Sequence, residues 1–422
     1  MISGEICSAV INVSENYYTR FLESRLAIPP AGPGKSLPKV KLVLGARQTG
    51  KTTLLEHCLP PGESTFILNL QDRRQRRRYE ADEGLLVREL MAAEGVETVC
   101  IDEIQKVPAL LDDVQYLYDQ APRRFRFFLT GSSARQLKHG SASLLPGRAH
   151  TLPLSPVLQA EQRTCEILPL PLVRGKRFPA RDLNELLIFG NLPGLYQEEP
   201  SSWGDTLSAY ADLYIENEIR RENIVGDMGA FARFLKLAAL ESGQSVNFTR
   251  LAGAVGVAVN TLRNFYQVLE DTHVGLRIPP FGRSRKKLLR APRFLIFDLG
   301  VRHVLAELPL SESLLKIDAG HIFEQWVLTE LYYRCRYLGP PYKLSTWRTT
   351  TGAEVDAIIE TPDETVPIEI KWTESPSTSD ARHIEKFIER HGGLAHRGYL
   401  ICRCPRKQQL TRRVTAIPWD RF

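Results

Sequence analysis

Residues 45–52, Gly-Ala-Arg-Gln-Thr-Gly-Lys-Thr, constrain the fold more than any other stretch, because they match G-x-x-x-x-G-K-[ST] at every fixed position. Such a loop works only between a strand and a helix. "KVKLVL" before it and "TTLLEHCL" after it have those periodicities. The glycines let the backbone curl so that its N–H groups face phosphate. Gly45, Arg47, Gln48, Thr49, Gly50, Lys51, Thr52 and Thr53 are therefore expected around a nucleotide, with Lys51 on the outer phosphates and the Thr52 hydroxyl on magnesium. The plain alternative is an ordinary strand–helix turn. Downstream, "TVCIDEI" is an apolar strand ending in Asp102 and Glu103. Asp102 would hold the metal through water and Glu103 would polarise the attacking water, which points to hydrolysis of ATP. After "FRFFLTGSS", Ser132 or Ser133 either senses the terminal phosphate or caps a helix. Arg148 is either an arginine finger, on its own nucleotide or a neighbour's, or a surface arginine.

"TFILNL", "TVCIDEI" and "RFFLTGSS" are apolar enough for strands buried on both faces, with helical intervals between them. That alternation predicts a mainly parallel sheet between helices. With 422 residues there is material for two to four domains, and 43% hydrophobic and 25% charged residues exclude a disordered or fibrous chain. The net charge of +6 leans only weakly toward polyanionic partners. Seven scattered cysteines argue against a disulfide framework and fit a reducing cytoplasm. No run approaches the roughly 20 apolar residues of a membrane span, so a soluble, cytoplasmic protein with no membrane partner is expected.

From about residue 181 the chain turns helical, through "LNELLIFGNLPGLYQ" and "TLSAYADLYIENEIRREN". From Phe231, three helical stretches and a strand pair follow, with Gly256 at the short turn of a helix-turn-helix and Asn260 or Thr261 as the next cap. Leu262, Phe265, Tyr266 and Leu269 have the spacing of a buried stripe, which leaves Thr261, Arg263, Asn264 and Gln267 outward for bases or phosphates. "FGRSRKKLLRAPR" adds Arg283, Arg285, Lys286, Lys287, Arg290 and Arg293 without an acid, the footprint of a DNA-binding wing. The same pattern also suits a packing module with a solvated hairpin. The run "RRQRRR" at residues 73–78 reads as an exposed loop.

In the tail, "AEVDAII" and "VPIEIKW" read as neighbouring strands. Side-chain alternation allows Asp356, Glu369 and Lys371 to converge. Two carboxylates suit magnesium, and an ammonium beside them could steady charge on a phosphate. The same alternation also describes a wet sheet face.

Taken together, "LGARQTGKTTLL", "IDEIQKVPALLDDVQYLYD", "FFLTGSSARQL", "SLLPGR", "FLIFDLGVRHVL", "GHIFEQWVLTELYY" and "WRTTTGAEVDAII" with "VPIEIKW" resemble the bacterial and archaeal AAA+-like ATPases that carry a C-terminal domain of unassigned function. The resemblance spans most of the chain and implies an α/β multidomain fold. Its parts are a lead-in at 1–38, a P-loop ATPase core with a parallel sheet at 39–165, and a helical lid or linker at 166–228. A winged helix-turn-helix at 229–306 and a restriction-endonuclease-like domain at 307–422 complete it. The tail of that family resembles the PD-(D/E)xK nuclease fold, whose motif carries onto Asp356, with Glu369 and Lys371 thirteen and fifteen positions further on. Glu324, on the preceding helix, is implied as an added acid on the metal. The proline that precedes the first acid in the family is absent here. The expected function is an ATPase using ATP and Mg2+ that binds and processes duplex or branched DNA, with a homo-oligomer as one arrangement open to it and a nuclease-like tail. The alternative is an ATP-dependent switch for a protein partner, its tail used only for binding.

Overall fold

The computed structural model describes residues 17–27, 38–59, 62, 64–135, 137, 145–171, 175–214, 226–282, 291–349 and 352–422. The chain divides into two compact units, Met1–Leu154 with Val173–Arg177, and Ser155–Leu172 with Phe178–Phe422.

In the first unit, β1 (Val40–Leu44), β2 (Thr65–Asn69), β3 (Thr98–Asp102), β4 (Arg126–Gly131) and β5 (Ala149–Pro153) form one sheet in the order β2-β3-β4-β1-β5. Every neighbouring pair is parallel. Helices α1 (Lys51–Cys58), α2 (Arg73–Ala81), α3 (Leu85–Ala92) and α4 (Leu110–Gln120) connect the strands. All five positions of β3 are buried, as befits a strand covered on both faces. Its Val99 and Ile101 share a core with Leu42, Phe127 and Leu129 and with Leu111, Val114 and Leu117 of α4. Because the strands run one way, their C-terminal ends lie along one edge. The loop after Leu44, Asp102 and the residues after Gly131 therefore meet there.

The "RRQRRR" run is not a loop. It lies in α2, where the Asp72 side chain caps the helix by accepting from Arg74 N at 2.8 Å and Tyr79 anchors it by being buried. Five arginines tolerate a helix because straight side chains lose little rotamer freedom there. Arg73, Arg74, Arg77 and Arg78 remain exposed.

In the second unit, α5 (Leu183–Phe189) and α6 (Trp203–Tyr214) precede α7 (Met228–Leu240), α8 (Phe248–Val255), α9 (Val259–Asp271) and the antiparallel hairpin of β6 (Gly275–Ile278) and β7 (Arg293–Ile296). Leu262, Phe265, Tyr266 and Leu269 are buried, the Phe265 ring meets Phe231 of α7 at 5.1 Å, and Tyr266 meets Phe294 of β7 at 4.5 Å. Gly256 ends α8 in the left-handed region at φ 80°. The cap of α9 is Ala258, without a side-chain bond, so neither Asn260 nor Thr261 caps it; both already lie within the helix.

Helix α10 (Leu299–Leu305) and the long α11 (Glu312–Leu338), interrupted at Asp318, lead to a mixed sheet. Its strands β8 (Lys343–Arg348), β9 (Glu354–Glu360), β10 (Thr365–Ile370), β11 (Gly398–Cys402), β12 (Gln408–Gln409) and β13 (Val414–Pro418) stand in the order β12-β13-β11-β10-β9-β8. The β10–β11 and β11–β13 pairs are parallel and the others antiparallel. Helix α12 (Arg382–Arg390) crosses between β10 and β11 and buries Ile384 and Phe387 against Val355 and Val414. On α11, Phe323, Val327 and Leu331 are fully buried, and Arg334 pairs with Glu330 in the interior at 2.6 Å. Glu330 also accepts from Gln159 N, which ties residues just after 155 to this unit. Among the described residues, no helix is long and apolar enough to cross a membrane, and all six described cysteines are unpaired.

Candidate functional site

At the C-terminal edge of the parallel sheet, the loop between β1 and α1 wraps on itself. A Cβ at Gly45 would come within 2.5 Å of Leu154 O, so only glycine allows that approach. Gln48 and Gly50 both take left-handed backbone, at φ 59° and 85°. Thr49 Oγ1 donates to Ala46 O at 2.9 Å, and the buried Lys51 donates to Gly45 O at 3.0 Å and Ala46 O at 2.9 Å. Arg47 is half-buried and Thr53 exposed. Thr52 Oγ1 lies 3.2 and 3.1 Å from the two carboxylate oxygens of Asp102.

Asp102 also accepts from Thr130 Oγ1, and Thr130 in turn accepts from Glu103 N at 2.9 Å. Burial raises the Asp102 pKa above the usual carboxylate range, against the pull of Thr130. Glu103 sits in left-handed backbone just beyond β3, where its Oε2 accepts from Gln105 Nε2 and, at 3.2 Å, from Ser132 Oγ. Gln105 Nε2 also donates to Ser132 Oγ at 2.9 Å. Ser132 thus belongs to the Glu103 network, while Ser133 Oγ is buried with no hydrogen-bond partner. Thr130, Gln105 and the buried Arg20, which donates to Thr49 O at 2.9 Å, escaped the sequence reading. Gln105 stands two residues from the Glu103 it serves, whereas Thr130 reaches Asp102 across 28 positions and Arg20 has no comparable signal.

Arg148 is placed at the opposite edge. It immediately precedes β5, its carbonyl accepts from Val40 N at the start of β1, and its guanidinium grips Asp119 with two 2.8 Å bonds. The five residues of β1 separate it from the phosphate loop by ~15 Å. A finger role on its own nucleotide is thereby corrected, since the side chain cannot span that distance.

The Thr52 hydroxyl and the Asp102 carboxylate face each other at the sheet edge, a donor set that fits a hydrated magnesium ion.

The tail acids are placed differently. Asp356 and Glu369 are buried, not on a wet face. Asp356 Oδ2 accepts from Ile370 N at 2.9 Å, and Lys371 Nζ contacts Glu369 Oε1 at 2.9 Å, so the three expected residues do converge. Arg293 of β7 enters the same cluster. Its guanidinium donates to Glu324 Oε1, to Glu354 Oε1 at 2.6 Å, and lies 3.7 Å from Asp356 Oδ1. Burial alone would lower the Arg293 pKa, but the charges of Glu324 and Asp356 more than reverse it. Burial and the neighbouring acids push Asp356 and Glu369 upward. With Arg293 on Glu324 and Asp356 and Lys371 on Glu369, these acids do not fit a divalent ion, and among the described residues no group of three or more acids, histidines or cysteines is arranged to hold one. The metal assignment is corrected accordingly. Arg293 itself, expected on a solvent-facing basic wing, is buried.

On α9, Arg263, Asn264 and Gln267 are exposed and Thr261 is half-buried. Arg263 lies over the Phe248 ring at 4.5 Å and Gln267 donates to Asp271 at 3.1 Å. Arg283, Arg285, Lys286, Lys287 and Arg290 lie outside the described residues.

Comparisons with known proteins agree with this division. Residues 37–162 match a family model described as an AAA domain. Residues 180–312 and 319–422 match two domains of unknown function. An uncharacterized protein of Mycobacterium tuberculosis is 28% identical over 349 residues, covering 81% of this chain and 72% of the relative. An uncharacterized protein of Methanocaldococcus jannaschii is 23% identical over 414 residues, covering 90% of this chain and 84% of the relative. A DNA polymerase III gamma subunit-related protein from Thermotoga maritima aligns in structure over 60% of this chain and 97% of its own, at 10% identity and a TM-score of 0.24. The chain therefore carries a nucleotide-binding AAA-type ATPase domain in its first unit, followed by a helical region and a mixed C-terminal sheet.

Proposed function

We propose that this protein is a DNA-handling ATPase. The observation that carries the reading is the connected set Thr52–Asp102–Thr130–Glu103–Gln105–Ser132 at the sheet edge, next to a buried lysine that donates to the backbone carbonyls of Gly45 and Ala46. Lys51 exchanges those carbonyls for phosphate oxygens when nucleotide arrives. Thr52 and Asp102 would hold Mg2+, which supplies neutralising charge on the phosphates. Glu103 orients the attacking water, and Gln105 and Ser132 fix the carboxylate that does so. The outward face of α9 reads DNA through Thr261, Arg263, Asn264 and Gln267, with the basic residues at 283–290 on the phosphates. The C-terminal sheet holds DNA in this reading, and no metal-dependent cleavage is assigned to it because its acids are engaged by Arg293.

The test is ATP turnover with and without single-stranded, duplex and junction DNA at low salt. Stimulation by at least one form, lost in Glu103→Gln, supports the proposal. Failure to bind any of them would sink the DNA part and leave the ATPase. One observation favours a second reading, an ATP-dependent switch for a protein partner: Arg263 and Gln267 are already engaged within the module. DNA affinity unchanged by Arg263→Ala together with Arg285→Ala and Lys286→Ala would favour the switch.

A further inference from the structure

The C-terminal acid cluster contains one base that the nuclease-like motif does not ask for. Arg293 is 8% exposed in its side chain, belongs to the hairpin that packs on α9, and reaches three carboxylates on two elements: Glu324 on α11, and Glu354 and Asp356 on β9. A planar guanidinium satisfies several carboxylates at once in a way that a lysine cannot. The local count is nearly balanced. Glu324, Glu354, Asp356 and Glu369 face Arg293, Arg348 and Lys371, because Arg348 lies 3.5 Å from Glu354 and Lys371 2.9 Å from Glu369. A dication entering among already paired acids would have to displace a buried, multiply bonded charge.

A second observation concerns the neighbouring acid on β10. Glu369 is 4% exposed, and its Oε2 is buried without a hydrogen-bond partner. A buried carboxylate oxygen left unpaired is costly unless something positive or protic can come to it. The hairpin that carries Arg293 is also fastened to this sheet: Phe281 N donates to Thr346 O at 2.7 Å and Thr346 N to Pro279 O at 3.0 Å. Arg293 is held by the backbone too, paired with Ile278 in β6 and bridged to Ser245. These main-chain contacts hold the base of the Arg293 side chain beside the acids.

We propose that Arg293 occupies the position of a divalent cation among Glu324, Glu354 and Asp356, and so keeps the C-terminal acid cluster closed to metal until the hairpin withdraws. The helix-turn-helix module thereby governs whether the tail can take up a metal. This inference does not rest on DNA binding or on the nucleotide site.

The experiment counts Mn2+ bound to the full chain without nucleotide, by the loss of the free-ion electron paramagnetic resonance signal. Wild type and Asp356→Asn are expected to bind equally, since the cluster is shut. Arg293→Gln is expected to gain one site at least about tenfold tighter than any weak binding in that region of the wild type, and Arg293→Gln with Asp356→Asn to lose it again. If Arg293→Gln does not fold, Arg293→Lys takes its place; it keeps the charge but cannot fork between carboxylates, and should gain a weaker Asp356-dependent site. Wild-type binding that drops on Asp356→Asn overturns the proposal without any Arg293 variant. So does a folded Arg293 variant that gains nothing.

Discussion

Two places in this molecule set buried acids at the end or flank of a β-strand beside a basic residue, and they differ in what the acids already hold. At the edge of the parallel sheet, the Asp102 carboxylate is hydrogen-bonded to the hydroxyls of Thr52 and Thr130, and Lys51 donates to backbone carbonyls. At the mixed sheet, Glu324 of α11 and Glu354 and Asp356 of β9 hold a guanidinium. Neutral hydrogen bonds contribute about 0.5–1.5 kcal/mol each and are readily exchanged for phosphate and metal. Removing one partner of a buried ion pair typically costs about 3–5 kcal/mol. Matching residue types thus produce an open site in one unit and a closed one in the other, and the partner decides which.

The largest expected effect tests the open side. Lys51→Ala should lower ATP turnover by about 100- to 1,000-fold, roughly 3–4 kcal/mol of transition-state stabilisation, because an ammonium is lost from the phosphates. Phosphate release measures it, and a loss under tenfold would mean that Lys51 stays with its carbonyls during turnover.

A third buried acid sharpens the contrast. Asp298 caps α10 through Val301 N at 3.1 Å and accepts from Asn191 N at 2.7 Å. Burial pushes its pKa up to about 6, even against those backbone donors. A carboxyl with a raised pKa favours the protonated fold, so its stabilisation is complete below about pH 4 and is lost as pH rises through about 6. Between pH 4 and 6.5 the wild type should lose ~2 kcal/mol relative to Asp298→Asn in urea unfolding. Parallel pH profiles for the two proteins would show that the backbone donors alone hold the charge.

The smallest effect concerns an exposed pair. Arg148→Ala removes a bidentate contact to Asp119 on the surface and should leave both the melting temperature and the turnover of dilute protein unchanged. Turnover that falls only at high protein concentration would instead assign Arg148 to the nucleotide of a neighbouring copy.

Legibility followed the range of the interactions. The phosphate loop, the Asp102–Glu103 strand end and the buried stripe of α9 are written in residues a few positions apart, and side-chain periodicity carries them directly. The convergence of Asp356, Glu369 and Lys371 was readable for the same reason: two adjacent strands and a period of two suffice. The α2 helix was missed because an arginine run looks solvent-exposed, and the Asp72 cap and the buried Tyr79 outweighed that impression. Arg148 illustrates another limit. Its distance from the phosphate loop depends on β5 joining the sheet beside β1, which no local pattern announces.

From the sequence alone came a parallel sheet with a nucleotide loop at one edge, a helix-turn-helix, and a tail with clustered acids. Whether those acids face a metal or an arginine was decided only by the fold, which brings Arg293 to Glu324 and Glu354 across separations of 31 and 61 residues. Charge along a chain records which groups are available. Their pairing is set by long-range packing of the hairpin against α9 and the mixed sheet, and an arginine that reads as part of a solvated wing becomes the counter-ion of a buried cluster.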